Sequence, residues 1–144
     1  MICTFIGHRN TPNYIEPILK NTILDLIKNQ NVNKFYVGNN GNFDVMVLKI
    51  LKEFEKTYNI NYSIVLPYYP KNKTLYIDYS KTILPDGIEK TPPRFGIVRR
   101  NKWMIENSNF LICYVTQDIT NAYSFIKFAE NKSKVIINLA RLQL

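Results

Sequence analysis

The side chains best suited to chemistry lie in short polar segments that follow apolar runs. The first, Gly7-His8-Arg9-Asn10-Thr11-Pro12-Asn13, follows Ile2-Cys3-Thr4-Phe5-Ile6. A glycine permits close approach of backbone to a ligand, and an arginine can meet a phosphate with parallel N–H donors. Arg9 fits that role, while His8 could donate a hydrogen bond or move a proton. The competing reading of His8 is a structural histidine at a strand end. The second segment, Gly38-Asn39-Asn40-Gly41-Asn42-Phe43-Asp44, follows Lys34-Phe35-Tyr36-Val37. Glycines on both sides of two amides make a turn that can present backbone N–H groups to a phosphate or ribose. Asp44 falls just inside the next helix, where a carboxylate also suits the helix dipole, and capping by Asn42 is the rival account of this segment.

Two further segments complete the set. Arg94, Arg99, Arg100 and Lys102 cluster near Phe95 and Trp103. Arginine supplies charge for phosphate and an aromatic face can stack on a base, although a solvated basic helix face explains the same residues. The segment Thr116-Gln117-Asp118-Ile119-Thr120-Asn121 is polar but has no glycine. Thr116 is the candidate ligand contact there, and Thr120 or Asn121 reads as a helix cap.

The elements that must position these residues alternate in type. Short apolar runs over residues 2–6, 34–37, 60–66, 110–115 and 134–139 predict five buried strands. Between them, apolar residues at helical spacing predict helices over 13–29, 42–58, 95–107 and 121–131. Pro17 falls in the first turn of its helix, where a missing N–H costs little. The stretch from Pro67 to Pro93 holds five prolines and shows no clear period beyond a short helix around Leu75 to Lys81. Strands alternating with helices imply parallel βαβ units, hence an α/β, Rossmann-like, open and mainly parallel sheet with helices on both faces. The whole of residues 1–144 reads as one domain. In such sheets ligands bind at the carboxyl ends of the strands, where the candidate segments fall.

Composition narrows the partners. Hydrophobic residues make up 46% and charged residues 21%, ordinary globular usage that excludes wholesale disorder. The net charge of +8 favours anionic partners, nucleic acid or small phosphates, against a background of lysines scattered over a solvated surface. Cys3 and Cys113 sit in apolar runs and read as buried free thiols rather than a disulfide. A single histidine and no Cys/His cluster exclude the usual zinc spacings. No apolar run approaches the roughly 20 residues of a membrane helix, and the N-terminus lacks signal-peptide features. A cytoplasmic protein with no membrane partner and no cofactor is expected.

The segments Phe5-Ile6-Gly7-His8-Arg9, residues 37–44, Tyr79-Ser80-Lys81-Thr82-Ile83-Leu84-Pro85, Pro92-Pro93-Arg94-Phe95 and Arg99-Arg100-Asn101-Lys102-Trp103-Met104 together resemble the small stand-alone members of the SLOG superfamily. The resemblance runs from Cys3 to Leu139. It implies a Rossmann-like sheet and a pocket for nucleotides or nucleotide-derived molecules, as in cytokinin-activating phosphoribohydrolases, molybdenum-cofactor carriers, DNA-processing proteins and ligand sensors of bacterial immunity. It also implies self-association into a homo-oligomer. The phosphoribohydrolases carry an Arg four residues before a Met, matched here by Arg100 and Met104. Their Pro-Gly-Gly-x-Gly-Thr-x-x-Glu loop has as its counterpart residues 115–123, which keep a threonine but lose every glycine and the glutamate.

The expected function is therefore binding of a nucleotide or nucleotide-derived phosphorylated ligand at the strand ends, as sensor, carrier or sequestering protein. The contacts would come from Gly7, His8, Arg9, Gly38, Asn39, Asn40, Gly41, Asp44, Arg94, Arg99, Arg100, Trp103 and Thr116. One alternative is a nucleoside-monophosphate N-glycosidase using relocated carboxylates such as Asp44, Asp86, Glu89 or Asp118. Another is a nucleic-acid-binding protein, whose binding would fall steeply with salt.

Overall fold

In the computed structural model residues 1–69, 79–116 and 121–142 are described. Ten principal elements follow one another: β1 (Ile2–Gly7), α1 (Glu16–Asn29), β2 (Lys34–Val37), α2 (Asn42–Phe54), β3 (Asn61–Val65), β4 (Thr82–Ile83), α3 (Gly96–Glu106), β5 (Phe110–Tyr114), α4 (Asn121–Asn131) and β6 (Val135–Asn138). All strands are parallel, in the order β4-β3-β2-β1-β5-β6. The sheet is thus open and Rossmann-like, as the alternation of apolar periods requires.

Period-two side-chain alternation distributes the core over two faces. Cys3 and Phe5 of β1, Phe35 and Val37 of β2, and Ile112 and Tyr114 of β5 pack with α1 and α2 in one cluster. Ile6, Leu111 and Cys113 point the other way and meet Ile105 of α3 with Phe125, Ile126 and Ala129 of α4. On α1 the buried residues Leu19, Ile23 and Leu26 recur at helical spacing. The longer stripe on α2 runs from Phe43 through Met46, Val47, Ile50 and Leu51 to Phe54. Because both faces are covered, β5 is buried along its whole length, which explains its continuous apolar run.

The boundaries depart from the sequence reading in physically simple ways. Asn13–Ile15 form a 3-10 turn ahead of α1, and Pro17 occupies the first helical turn. Pro93–Phe95 similarly form a 3-10 turn ahead of α3. The sheet has six strands rather than five. The extra one, Thr82–Ile83, spans two residues, too few to show a period, and pairs with Ile64 and Val65. Of the short helix expected around Leu75 to Lys81, Tyr79–Lys81 form a 3-10 turn and the rest lies outside the described residues.

Cys3 and Cys113 are free and buried, on adjacent strands but opposite Phe110 and Ile6 respectively, so they never face one another. Burial pushes both thiols up, Cys113 to about 12, so neither is a ready thiolate. No helix among the described residues is long and apolar enough to cross a membrane.

Candidate ligand cleft

The chain steps from β1 outward through β2, β3 and β4, then crosses to place β5 on the other side of β1. The direction of winding reverses between β1 and β5, and the crevice outside the carboxyl ends at such a point is where open α/β sheets bind ligands. Gly7, the last residue of β1, lies opposite Tyr114, the last of β5. Beside it a cleft of about 220 Å³ opens between the β1 and β2 ends and α3. Phe5, Ile6, Gly7 and Arg9 line one side, Asn40 and Asp44 a second, and Ile97, Arg100, Asn101 and Met104 of α3 the third.

Two charged residues buried in this region decide its character. Arg100 is only 2% exposed, although arginine is almost never fully buried without partners. Its Nη1 donates to Asn39 Oδ1 at 2.9 Å and to the Val65 carbonyl at 3.1 Å, and its Nε donates to Asn101 Oδ1 at 2.8 Å. The guanidinium therefore ties α3 to the ends of β2 and β3. Asp44 lies in the first turn of α2, where its Oδ2 accepts the Asn40 N–H at 2.9 Å. Burial raises its pKa from 3.8 to about 6, against the opposing pull of the Asn40 N–H and the Arg100 charge. Burial also lowers the Arg100 pKa, opposed by Asp44 and Tyr68, but a guanidinium keeps its proton in proteins.

The glycines of the two loops have internal reasons to be glycine. A Cβ on Gly7 would lie 2.3 Å from the Phe43 ring, so that ring closes over the end of β1. Gly41 has φ of 89°, a left-handed conformation that glycine adopts without strain, and its missing Cβ would meet Arg9 Cα at 2.7 Å. Gly41, not Asn42, is the N-cap of α2. Asn42 instead reaches across to the β1 loop, its Nδ2 donating to the Thr11 carbonyl at 2.6 Å and to Asn13 Oδ1 at 2.8 Å. The Asn42 N–H also donates to the Arg9 carbonyl at 2.9 Å, so the two loops form one hydrogen-bonded rim. Gly38 stands between the charges: its Cβ would be 2.8 Å from Asp44 Oδ2 and 3.0 Å from Arg100 Nη1.

His8 is held structurally. Its Nε2 accepts the Thr116 N–H at 3.0 Å and lies 3.3 Å from Thr116 Oγ1, which pins the β1 loop to the end of β5. An Nε2 that accepts an N–H is unprotonated, and burial lowers the His8 pKa in keeping with that.

Of the candidate residues, Gly7, Arg9, Asn40, Asp44 and Arg100 line the cleft, with Gly38, Asn39 and Gly41 directly behind them. Arg94, Arg99 and Trp103 are not brought to it. Arg94 is exposed and lies over the Phe95 ring, 4.8 Å from its centroid. Arg99 donates to the Asp86 carbonyl at 2.8 Å. Trp103 tilts against Tyr36, with ring centroids 5.1 Å apart, and with Arg99 it lines a separate groove on the outer side of α3. Asp86 and Glu89 are exposed and away from the cleft, while Asp118 and the capping candidate Thr120 lie outside the described residues. Sequence reasoning missed Ile97, Asn101 and Met104 as cleft residues. Their spacing with Arg100 marks one face of α3, a signal present in the sequence.

The arrangement suits binding: a small cleft that combines apolar side chains with one carboxylate, two guanidinium groups and two amides. Among the described residues no cluster of His, Cys, Asp and Glu is placed to hold a metal ion. No protein-family model and no curated protein matches the chain.

Proposed function

We propose that the chain is a SLOG-type domain that binds a nucleotide or nucleotide-derived small ligand in this cleft, as a sensor, carrier or sequestering protein. The observation that carries the reading is the convergence of Arg9, Asn40, Asp44 and Arg100 on one cleft at the carboxyl ends of β1 and β2. Buried charge is costly to fold, and retaining it at the edge of a cavity is the mark of a binding or catalytic site. Arg9 at the exposed mouth supplies charge for a phosphate, and the apolar walls suit a heterocycle. Mass spectrometry of small molecules released from purified protein, followed by calorimetry with nucleoside monophosphates, tests the reading. A released or titrated nucleotide supports it. Protein that releases nothing and gives no heat with any nucleotide refutes it.

One observation favours a second reading, an N-glycosidase acting on nucleoside monophosphates. Among the described residues Asp44, with its pKa at about 6, is the candidate carboxylate that lines the cleft, and a carboxyl poised there suits proton transfer to a leaving base. Water-dependent release of free base and ribose 5-phosphate, lost in Asp44→Asn, would establish it. Saturable binding without turnover would leave the binding function alone.

A further inference from the structure

Two side chains more than nine-tenths buried each leave a polar atom without a hydrogen-bond partner among the described residues. Asp44 is 8% exposed; its Oδ2 holds the Asn40 N–H, and its Oδ1 has no hydrogen bond among the described residues. Arg100 is 2% exposed; its Nε and Nη1 are engaged, and its Nη2 has no acceptor among the described residues. Yet no fully buried side-chain nitrogen or oxygen among the described residues lacks a partner. Both atoms must therefore be open to the outside, and the cleft is the cavity that both residues line.

The carboxylate and the guanidinium flank Gly38, since a single Cβ there would be 2.8 Å from Asp44 Oδ2 and 3.0 Å from Arg100 Cζ. Phe5, Ile6, Ile97 and Met104 form apolar walls around them. The cleft thus draws on one residue with an open acceptor and one with an open donor, in a setting where an unmatched polar group is expensive. At about 220 Å³ the cleft is smaller than the roughly 300–1,000 Å³ of typical ligand pockets, which suits one base with its sugar rather than a dinucleotide. The carboxylate also repels phosphate from the floor, leaving the exposed Arg9 at the mouth to meet it.

Building on the reading of the cleft as a nucleotide pocket, we infer that Asp44 and Arg100 together read a heterocycle edge that carries an amino donor beside a ring-nitrogen acceptor. Cytosine and adenine present that edge; uracil and hypoxanthine present a carbonyl and a ring N–H in the same places. Asp44 Oδ1 accepts from the amino group and Arg100 Nη2 donates to the ring nitrogen. With a keto base the carboxylate would face a carbonyl and the guanidinium an N–H.

Calorimetric titration of the protein with CMP against UMP, and AMP against IMP, tests this without any variant. The amino member of each pair is expected to bind at least about tenfold more tightly, because the keto member leaves two buried groups unmatched. Asp44→Asn adds a second check. The Asn40 N–H would hold the amide oxygen and turn the NH₂ into the cleft, so the acceptor becomes a donor and the preference falls or reverses. Equal affinities within each pair would overturn the edge reading while leaving the pocket in place. So would a preference that Asp44→Asn leaves unchanged. Failure of all these nucleotides to bind would remove the pocket reading itself.

Discussion

Arg99 and Arg100 are neighbours in the chain, yet α3 places them in opposite environments. Arg100 is buried among the ends of β2 and β3, with hydrogen bonds to Asn39, Asn101 and Val65. Arg99 is exposed on the outer side, where it bonds one carbonyl and lines a groove of about 400 Å³ with Lys90, Lys102 and Trp103. That groove is larger than the cleft, but its charges are exposed to water, which screens and satisfies them at little cost. The cleft is smaller, and Asp44 and Arg100, two of the three charged residues lining it, are buried. Volume and net charge describe a surface, whereas burial of charge at a cavity edge is what makes the cleft the candidate site.

Removing each arginine in turn should have the largest effect. Arg100→Met should cost about 3 kcal/mol in urea denaturation and abolish ligand binding, because it strands the Val65 carbonyl and leaves Asp44 without its nearby positive charge. Arg99→Met should fall within about 0.5 kcal/mol of the parent and leave binding intact. Similar losses in the two variants would erase the distinction between the faces.

Next in size is Gly38→Val. Added carbon at Gly38 must push Asp44 and the guanidinium apart, costing about 1–3 kcal/mol by overpacking and removing binding. Nucleotide binding that survived in a folded Gly38→Val protein would move the site elsewhere.

Asp44→Asn should instead stabilise the protein above pH 6 while weakening the binding of amino-bearing nucleotides. The folded pKa of about 6 exceeds the unfolded value of 3.8, so between these values the folded state holds more protons and stability falls as pH rises. The ionised carboxylate costs the fold nothing below 3.8 and its full penalty, up to about 3 kcal/mol, above 6. The facing groups are the Asn40 N–H, the Arg100 guanidinium and, across the cleft, Arg9. The advantage of Asn over Asp, read from urea denaturation at several pH values, should therefore grow from pH 4 to pH 6 and then level off. A flat difference would mean that Asp44 is not desolvated.

The smallest effect is spectroscopic. Trp103 is the chain's single tryptophan and rests on Tyr36 beside the outer groove. A ligand in the cleft should leave its emission nearly unchanged, whereas strong quenching would place the ligand on the other side of α3.

Much of this was legible in the residues. Continuous apolar runs in β1, β2 and β5, alternating with the amphipathic α1 and α2, are enough to require a buried parallel sheet. The polar segments then follow the strands, so Gly7, Arg9, Asn40 and Asp44 share one edge by topology alone. The two-residue β4 could not be read, since its pairing with β3 is a tertiary contact and not a pattern. On the sequence alone these glycines make room for a ligand's approach. In the fold, the Phe43 ring, the Arg9 backbone and the Asp44 and Arg100 side chains occupy the positions their Cβ atoms would take.

By itself, then, the sequence determined the fold class and the edge of the sheet on which the candidate loops gather, because hydrophobic periodicity and chain direction are local properties. Only the tertiary structure separates Arg99 from Arg100, gives His8 its structural role, and sets Asp44 and Arg100 on either side of Gly38. A helix turns about 100° per residue, so neighbours of identical chemistry face different surroundings. Which surroundings become dry, and therefore make a charge matter, depends on what folds over them.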